Sequence, residues 1–223
     1  MEQGGSPAAA ETVLKTFLRR PEGTGSAGVG GSVGFATVQH GTPAPARPAS
    51  HSRVTLTQLM EVTDANVAGN VHGGVVMRLA DTAAAIAAIR HAGSLCVTVS
   101  VDELSFLEPV HVGDLLTLRA SVNAVGTTSL EVGVRVEAED PVSGERVHAA
   151  TAYLVFVALD DTGRPRAVPP LLCETDEELR RNREAMLRRE ARQAHKEAIK
   201  AQRAAGGQSS GSGPTPASDS ENP

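Results

Sequence analysis

Asp81 is the residue of this chain whose presence most needs a chemical reason. It stands inside NVAGNVHGGVVMRLADTAAAIAAIRH, Asn66 to His91, where its helical surroundings are otherwise almost wholly apolar. An ionised carboxylate in a core helix is costly without partners, and such groups change pKa or find donors. A helix built only for packing would do without it. A carboxylate so placed can deprotonate a water or attack an electrophilic carbon itself. The turn before it, His72-Gly73-Gly74, adds a second element of the same chemistry. Paired glycines let the backbone turn tightly and approach a ligand closely. They also open a helix, whose first N–H groups lack intrahelical acceptors and can hold a developing oxyanion. The competing account of Asp81 is a solvated ion pair with Arg78, one turn earlier, worth only about 0–1 kcal/mol.

The elements that must position these groups follow from periodicity. Arg53 to Thr63 alternates apolar and polar residues as a strand does. Asp64 to Asn70 is a polar, glycine-containing loop. A helix is expected from about Gly73 to Ile89; apolar on most sides, it must be buried. His91 and Gly93 suit its C-terminal end. Four Val- and Thr-rich strands are expected next, over Cys96 to Phe106, Asp114 to Val125, Ser129 to Glu139 and Arg146 to Leu159. The last two should form an antiparallel hairpin. The result is an α+β domain, an antiparallel sheet of about five strands wrapped around a central helix. One helix leaves the other face of the sheet and an edge poorly covered, so oligomerisation is expected.

Composition sets the outer limits. Residues 1–52 are rich in Gly, Ala, Ser, Thr and Pro, and 206–223 are almost wholly small and polar. Both are expected to remain disordered tails, because neither can bury enough apolar surface to offset chain entropy. The folded domain is assigned to 53–172 and a charged helix to 173–205, acidic at its start and basic later, with only a thin apolar stripe of Leu179, Met186 and Leu187. The net charge of −5 and the scarcity of aromatics (one Tyr, four Phe, no Trp) argue against nucleic-acid binding. No run is long and apolar enough to span a bilayer. Two cysteines, Cys96 and Cys173, fit reduced thiols in a cytoplasmic protein, and the seven histidines show no zinc-site spacing.

NVAGNVHGG followed by Asp81, together with SFLEPVHVGD (Ser105 to Asp114), GTTSLEV (Gly126 to Val132) and RPRAVPPL (Arg164 to Leu171), resembles the hotdog-fold acyl-CoA thioesterases. The likeness is to the subgroup of cytosolic long-chain acyl-CoA hydrolases and their bacterial single-domain relatives. It covers about Thr55 to Arg180. The resemblance implies hydrolysis of acyl-CoA to a fatty acid and CoA without a metal or redox cofactor, CoA being the carrier within the substrate. It implies Asp81 as general base or nucleophile, and Asn66 as the loop amide that completes the site from the partner chain. A homodimer would then be the minimal active unit, with a trimer of dimers as a further assembly. The rival function is a hotdog protein that binds acyl-CoA without cleaving it, against which the retention of Asn66 and Asp81 counts.

Beside that likeness, Asn66 carries both a donor and an acceptor and can orient a water against Asp81, which favours the water route over direct attack. His72, Gly73 and Gly74 are assigned to substrate or oxyanion contact, His72 more as a shaper of the loop than as a proton carrier. Ser129 matches a polar position that family members place near substrate; a strand-start serine is the alternative. Arg119 and Arg135 suit the nucleotide phosphates of CoA or a solvent-facing strand surface. Cys96 reads as a small buried hydrophobe, and His91 and His148 as structural residues.

Overall fold

Strict alternation in two neighbouring strands sets the architecture. In β4 (Leu115–Val125) and β5 (Ser129–Glu139) the even-numbered apolar residues, Leu116, Leu118, Val132, Val134 and Val136 among them, are buried on one face. The computed structural model describes residues 45–206, so most of the tails expected at 1–52 and 206–223 lies outside the described residues. A five-stranded antiparallel sheet runs in the order β2-β4-β5-β6-β3, where β2 is Val54–Leu59, β3 Cys96–Phe106 and β6 Arg146–Ala158. Helix α1 (Gly73–Ala92) lies on the buried face. Among the described residues no helix is long and apolar enough to cross a membrane.

The inner face of α1 is nearly all alanine: Ala80, Ala83, Ala84, Ala87, Ala88 and Ala92 are buried, with Val76 and Leu79 at its start. Small side chains bring the helix backbone close to the sheet, and the larger Leu116, Leu118 and Phe156 fill the space from the other side. The outer face of α1 leaves Met77, Ile86 and Ile89 partly exposed. Beside it, β3 forms an open edge of eleven residues with Val99 and Val101 half exposed.

Three boundaries differ from the sequence expectation. The chain after Leu59 does not continue as a strand to Thr63. Glu61 and Asp64 cap each other, and Val62–Asp64 turns as a 3-10 helix. Helix α1 runs to Ala92, where Gly93 takes a left-handed φ of 66°. Folded structure also begins before Arg53. Strand β1 (Arg47–Pro48) pairs in parallel with β7 (Leu171–Leu172), and a 3-10 turn covers Ala49–Ser52. Ser52 is buried; its hydroxyl donates to the Ala49 carbonyl and accepts the Val122 N–H, at 2.7 and 2.9 Å. Arg47 donates to the Arg90 and His91 carbonyls, placing a cation at the C-terminal end of α1.

Helix α2 (Asp176–Gly206) crosses the opposite face of the sheet. Its apolar stripe does not dock: Leu179, Met186 and Leu187 stay exposed. Polar residues hold it instead. Thr175 and Glu178 form a capping box, and Glu178 also pairs with Arg53 at 2.8 Å. Asn182 donates to the Asn123 carbonyl, and Arg188 pairs with the buried Glu131 at 2.7 Å while its guanidinium lies 3.6 Å over the Tyr153 ring. Arg192 pairs with Asp102. Ala185 is the buried apolar contact.

His91 ties the end of α1 to the exit segment. It is fully buried, with Nε2 3.0 Å from the Pro169 carbonyl. Burial pushes its pKa below the ordinary 6.5; the Pro169 carbonyl works the other way, and Arg47 and His51 add to the lowering. The unfolded chain therefore takes up this proton first as pH falls. Stability should decline from about pH 6.5 downward. Melting temperatures measured between pH 7.5 and 5.5 should fall more steeply for the wild type than for His91→Gln; parallel slopes would rule His91 out as the cause.

Candidate functional site

The first turn of α1 is shaped by one side chain. His72 is the N-cap, and its Nδ1 accepts the Gly74 N–H at 2.9 Å, while its carbonyl accepts the Val75 N–H at 2.8 Å. That bond requires a lone pair on Nδ1, so the ring proton resides on Nε2. The expectation that both glycine amides face a ligand is thus corrected: the Gly74 amide is committed to the imidazole, and Gly73 is left as the donor candidate. Gly73 also needs its missing side chain, since a Cβ there would lie 3.2 Å from Cζ of Phe106.

Upstream, Asn66 closes a tight loop. Its Oδ1 accepts the N–H groups of Ala68 (2.8 Å) and Asn70 (3.3 Å), and its own N–H donates to the Asn70 carbonyl at 2.7 Å. Gly69, at φ 86°, makes the turn possible. These bonds take the side-chain oxygen; the amide NH2 is not needed for the turn. Asn66 and Gly73 line a cleft of about 350 Å3 whose walls are Val76, Phe106, Leu107 and Val110.

Asp81 lies elsewhere. It is about 12 Å further along the helix axis than Gly73 at the usual rise per residue, and it does not line that cleft. It is half-buried, at the border between the alanine face and the exposed Met77, so the desolvation inferred from its sequence surroundings is smaller than expected. Its partner is Thr98 of β3, whose hydroxyl donates to Oδ1 at 2.7 Å, and not Arg78. One carboxylate oxygen is thereby oriented. Within one chain the structure brings Asn66 and Gly73 together and leaves Asp81 apart.

Ser129 is on the other side of the sheet. Leu130 faces the core, so Ser129 and Glu131 face α2, where Ser129 shares a small recess with Arg189. It cannot meet Asp81 of its own chain. His148 is fixed by Arg135, the Ala150 carbonyl and Thr151. Burial pushes the Cys96 thiol up to about 11, which suppresses thiolate. Among the described residues no three His, Cys, Asp or Glu side chains converge as a metal site.

Thr98 is the partner of Asp81 that the sequence did not disclose. In CVTVSVDELSF it looks like any strand threonine, and only the packing of α1 against β3 gives it a carboxylate.

The Thioesterase superfamily profile matches residues 68–145. An uncharacterized acyl-CoA thioester hydrolase of Bacillus subtilis is 39% identical over 151 residues, which is 66% of this chain and 88% of that protein. The acyl-CoA hydrolase of Staphylococcus aureus, solved with butyryl-CoA and CoA, is 37% identical with a TM-score of 0.66, covering 71% of this chain and 96% of that one. An apo-hexameric acyl-CoA thioesterase is also 37% identical, with a TM-score of 0.66, covering 68% and 97%. Three variants of the Staphylococcus aureus hydrolase replace an asparagine, an aspartate and a threonine by alanine. The aspartate follows the asparagine by fifteen positions, and the threonine follows the aspartate by seventeen. Asn66, Asp81 and Thr98 stand at those same intervals.

The imidazole cap has a measurable weight. His72→Ala should cost about 1 kcal/mol of stability, the usual loss for a side-chain cap, whereas His72→Asn should retain most of it. Denaturant midpoints at constant slope report this; equal losses for the two variants would show that the Nδ1 bond contributes nothing.

Proposed function

The chain belongs to the thioesterase superfamily, and on that premise we propose that it hydrolyses acyl-CoA to a free carboxylic acid and CoA, at sites shared between two chains. One observation carries this reading: Asp81 is held by Thr98 at 2.7 Å on a partly exposed border of α1, while Asn66 lines a separate cleft. A second copy of the chain supplies what each half lacks. The surface around Asp81 suits such a copy, since Met77, Ile86, Ile89, Val99 and Val101 form an exposed apolar band beside the open β3 edge.

The chemistry needs no metal or redox group. On the chain that supplies the asparagine, the Gly73 amide donates to the thioester oxygen as negative charge grows there. The NH2 of the partner's asparagine positions a water, and Asp81 takes its proton. Attack on the carbonyl carbon gives a tetrahedral oxyanion; the C–S bond then breaks, and Asp81 returns the proton to the departing CoA thiolate. Thr98 is a positioning residue that turns the second Asp81 oxygen toward the water. His72 shapes the turn that presents Gly73. Three dimers assembling as a hexamer would match the oligomer named for the related thioesterase. The free thiols Cys96 and Cys173 suit the cytoplasm.

Release of thiol from an acyl-CoA panel should fall ~100- to 10,000-fold in Asp81→Asn, the range expected on losing a general base. Asn66→Ala should fall nearly as far. Thr98→Ala should lower kcat while leaving KM nearly unchanged, and Thr98→Ser should restore it. A shared site makes a sharper forecast. Asp81→Asn and Asn66→Ala chains, unfolded together and refolded as random dimers, should recover roughly a quarter of wild-type activity, because half the pairs carry one intact site. A mixture no more active than its inactive parents would exclude the shared site.

A further inference from the structure

The face of the sheet turned away from α1 carries charge that this hydrolysis does not use. A cleft of about 430 Å3 opens there between the strands and α2, within the range of small-ligand sites. One row across four strands runs along its floor: Thr55 of β2 opposite Arg119 of β4, then Arg135 of β5, then Thr151 of β6. Like charges directly opposite across a strand pair repel. The two guanidiniums share a single carboxylate, with Arg119 Nη1 2.9 Å from one Glu137 oxygen and Arg135 Nε 2.8 Å from the other. The Arg135 bond holds the Glu137 carboxyl below its ordinary range, so it stays ionised, and the pair still carries one unmatched positive charge.

The neighbouring row is Ser121, Gly133 and Tyr153. A side chain at Gly133 would collide with Asn123, whose Nδ2 lies 2.5 Å from the Cβ position. The room it leaves is taken by the Asn123 amide, which walls the cleft beside the arginines. On the far wall, Arg180 and Arg181 of α2 are matched by Glu177 and Glu184. The unmatched charge therefore belongs to the sheet floor, where both arginines are half exposed with donors to spare.

We propose that this cleft binds a phosphate-bearing anion, gripped by the guanidinium forks of Arg119 and Arg135 and flanked by the hydroxyls of Thr55 and Thr151. Planar guanidinium donors match phosphate oxygens in pairs, and a second anion offsets the repulsion that Glu137 alone leaves. The sheet separates this site from Asp81 of the same chain. Two sources share the chemistry: the nucleotide end of a CoA, or an independent phosphate compound.

Calorimetric titration of the full chain with inorganic diphosphate at low salt tests the proposal. Saturable binding is expected, weakened at least tenfold in the double variant Arg119→Gln/Arg135→Gln, with Arg119→Lys/Arg135→Lys intermediate because it keeps charge without the fork. Melting curves verify that the variants are folded. Adding CoA to the diphosphate complex separates the sources. Displacement assigns the site to CoA phosphates, and simultaneous binding assigns it to a separate ligand. Asp81→Asn should bind diphosphate as the wild type does, so failure of the hydrolytic reading would leave this result standing. No saturable binding to the wild type, or equal binding by the folded double Gln variant, overturns the proposal.

Discussion

The close approach of a nearly bare helix face to a sheet governs this molecule. Because α1 meets the strands through alanines, the large side chains of the core come mainly from the sheet. The helix backbone sits deep, and a residue one step off the alanine track falls at a border with solvent instead of in the interior. Asp81 occupies that border. A bulkier inner face would lift the helix, separate Asp81 from Thr98 and overpack the core by amounts that typically cost 1–3 kcal/mol.

The same geometry divides polar roles between the entry and the middle of α1. The N-terminal turn carries a capped amide and a glycine pressed against Phe106, and the loop before it carries an asparagine whose oxygen is bound within that loop. The middle of the helix carries the carboxylate. No single chain unites them, and the apolar residues left exposed around Asp81 lie where a second helix and a second sheet edge would cover them. Under the proposed pairing of two chains, burial that the isolated chain lacks and the completion of the site would be two results of one association.

Much of the fold was legible because strand alternation and an all-apolar helix are strong, local signals. The strands at Cys96–Phe106 and Ser129–Glu139 run over the residues expected. Features that failed to show depend on contacts distant in sequence. Arg47 to Ser52 reads as tail because its composition is averaged with the segment before it, yet one buried hydroxyl at Ser52 fastens it to Val122. The means by which α2 is held is hidden by a stripe of Leu179, Met186 and Leu187 that points outward, while charged residues do the holding. At the site, Asp81, Asn66 and the glycine turn stand out in the sequence by type and spacing. Thr98 does not, and the facing of Ser129 required knowing that Leu130 belongs to the core.

The imidazole of His72 occupies a position with a built-in exclusivity. Its Nδ1 lone pair is what fastens the opening turn of α1. A proton delivered to that atom would release the Gly74 N–H and loosen the backbone that presents Gly73. The ring can serve as a clasp or as a shuttle through Nδ1, never both in one turnover. In the hydrolysis proposed above, Nδ1 is therefore kept for the helix turn, and the proton taken from water goes to the carboxylate.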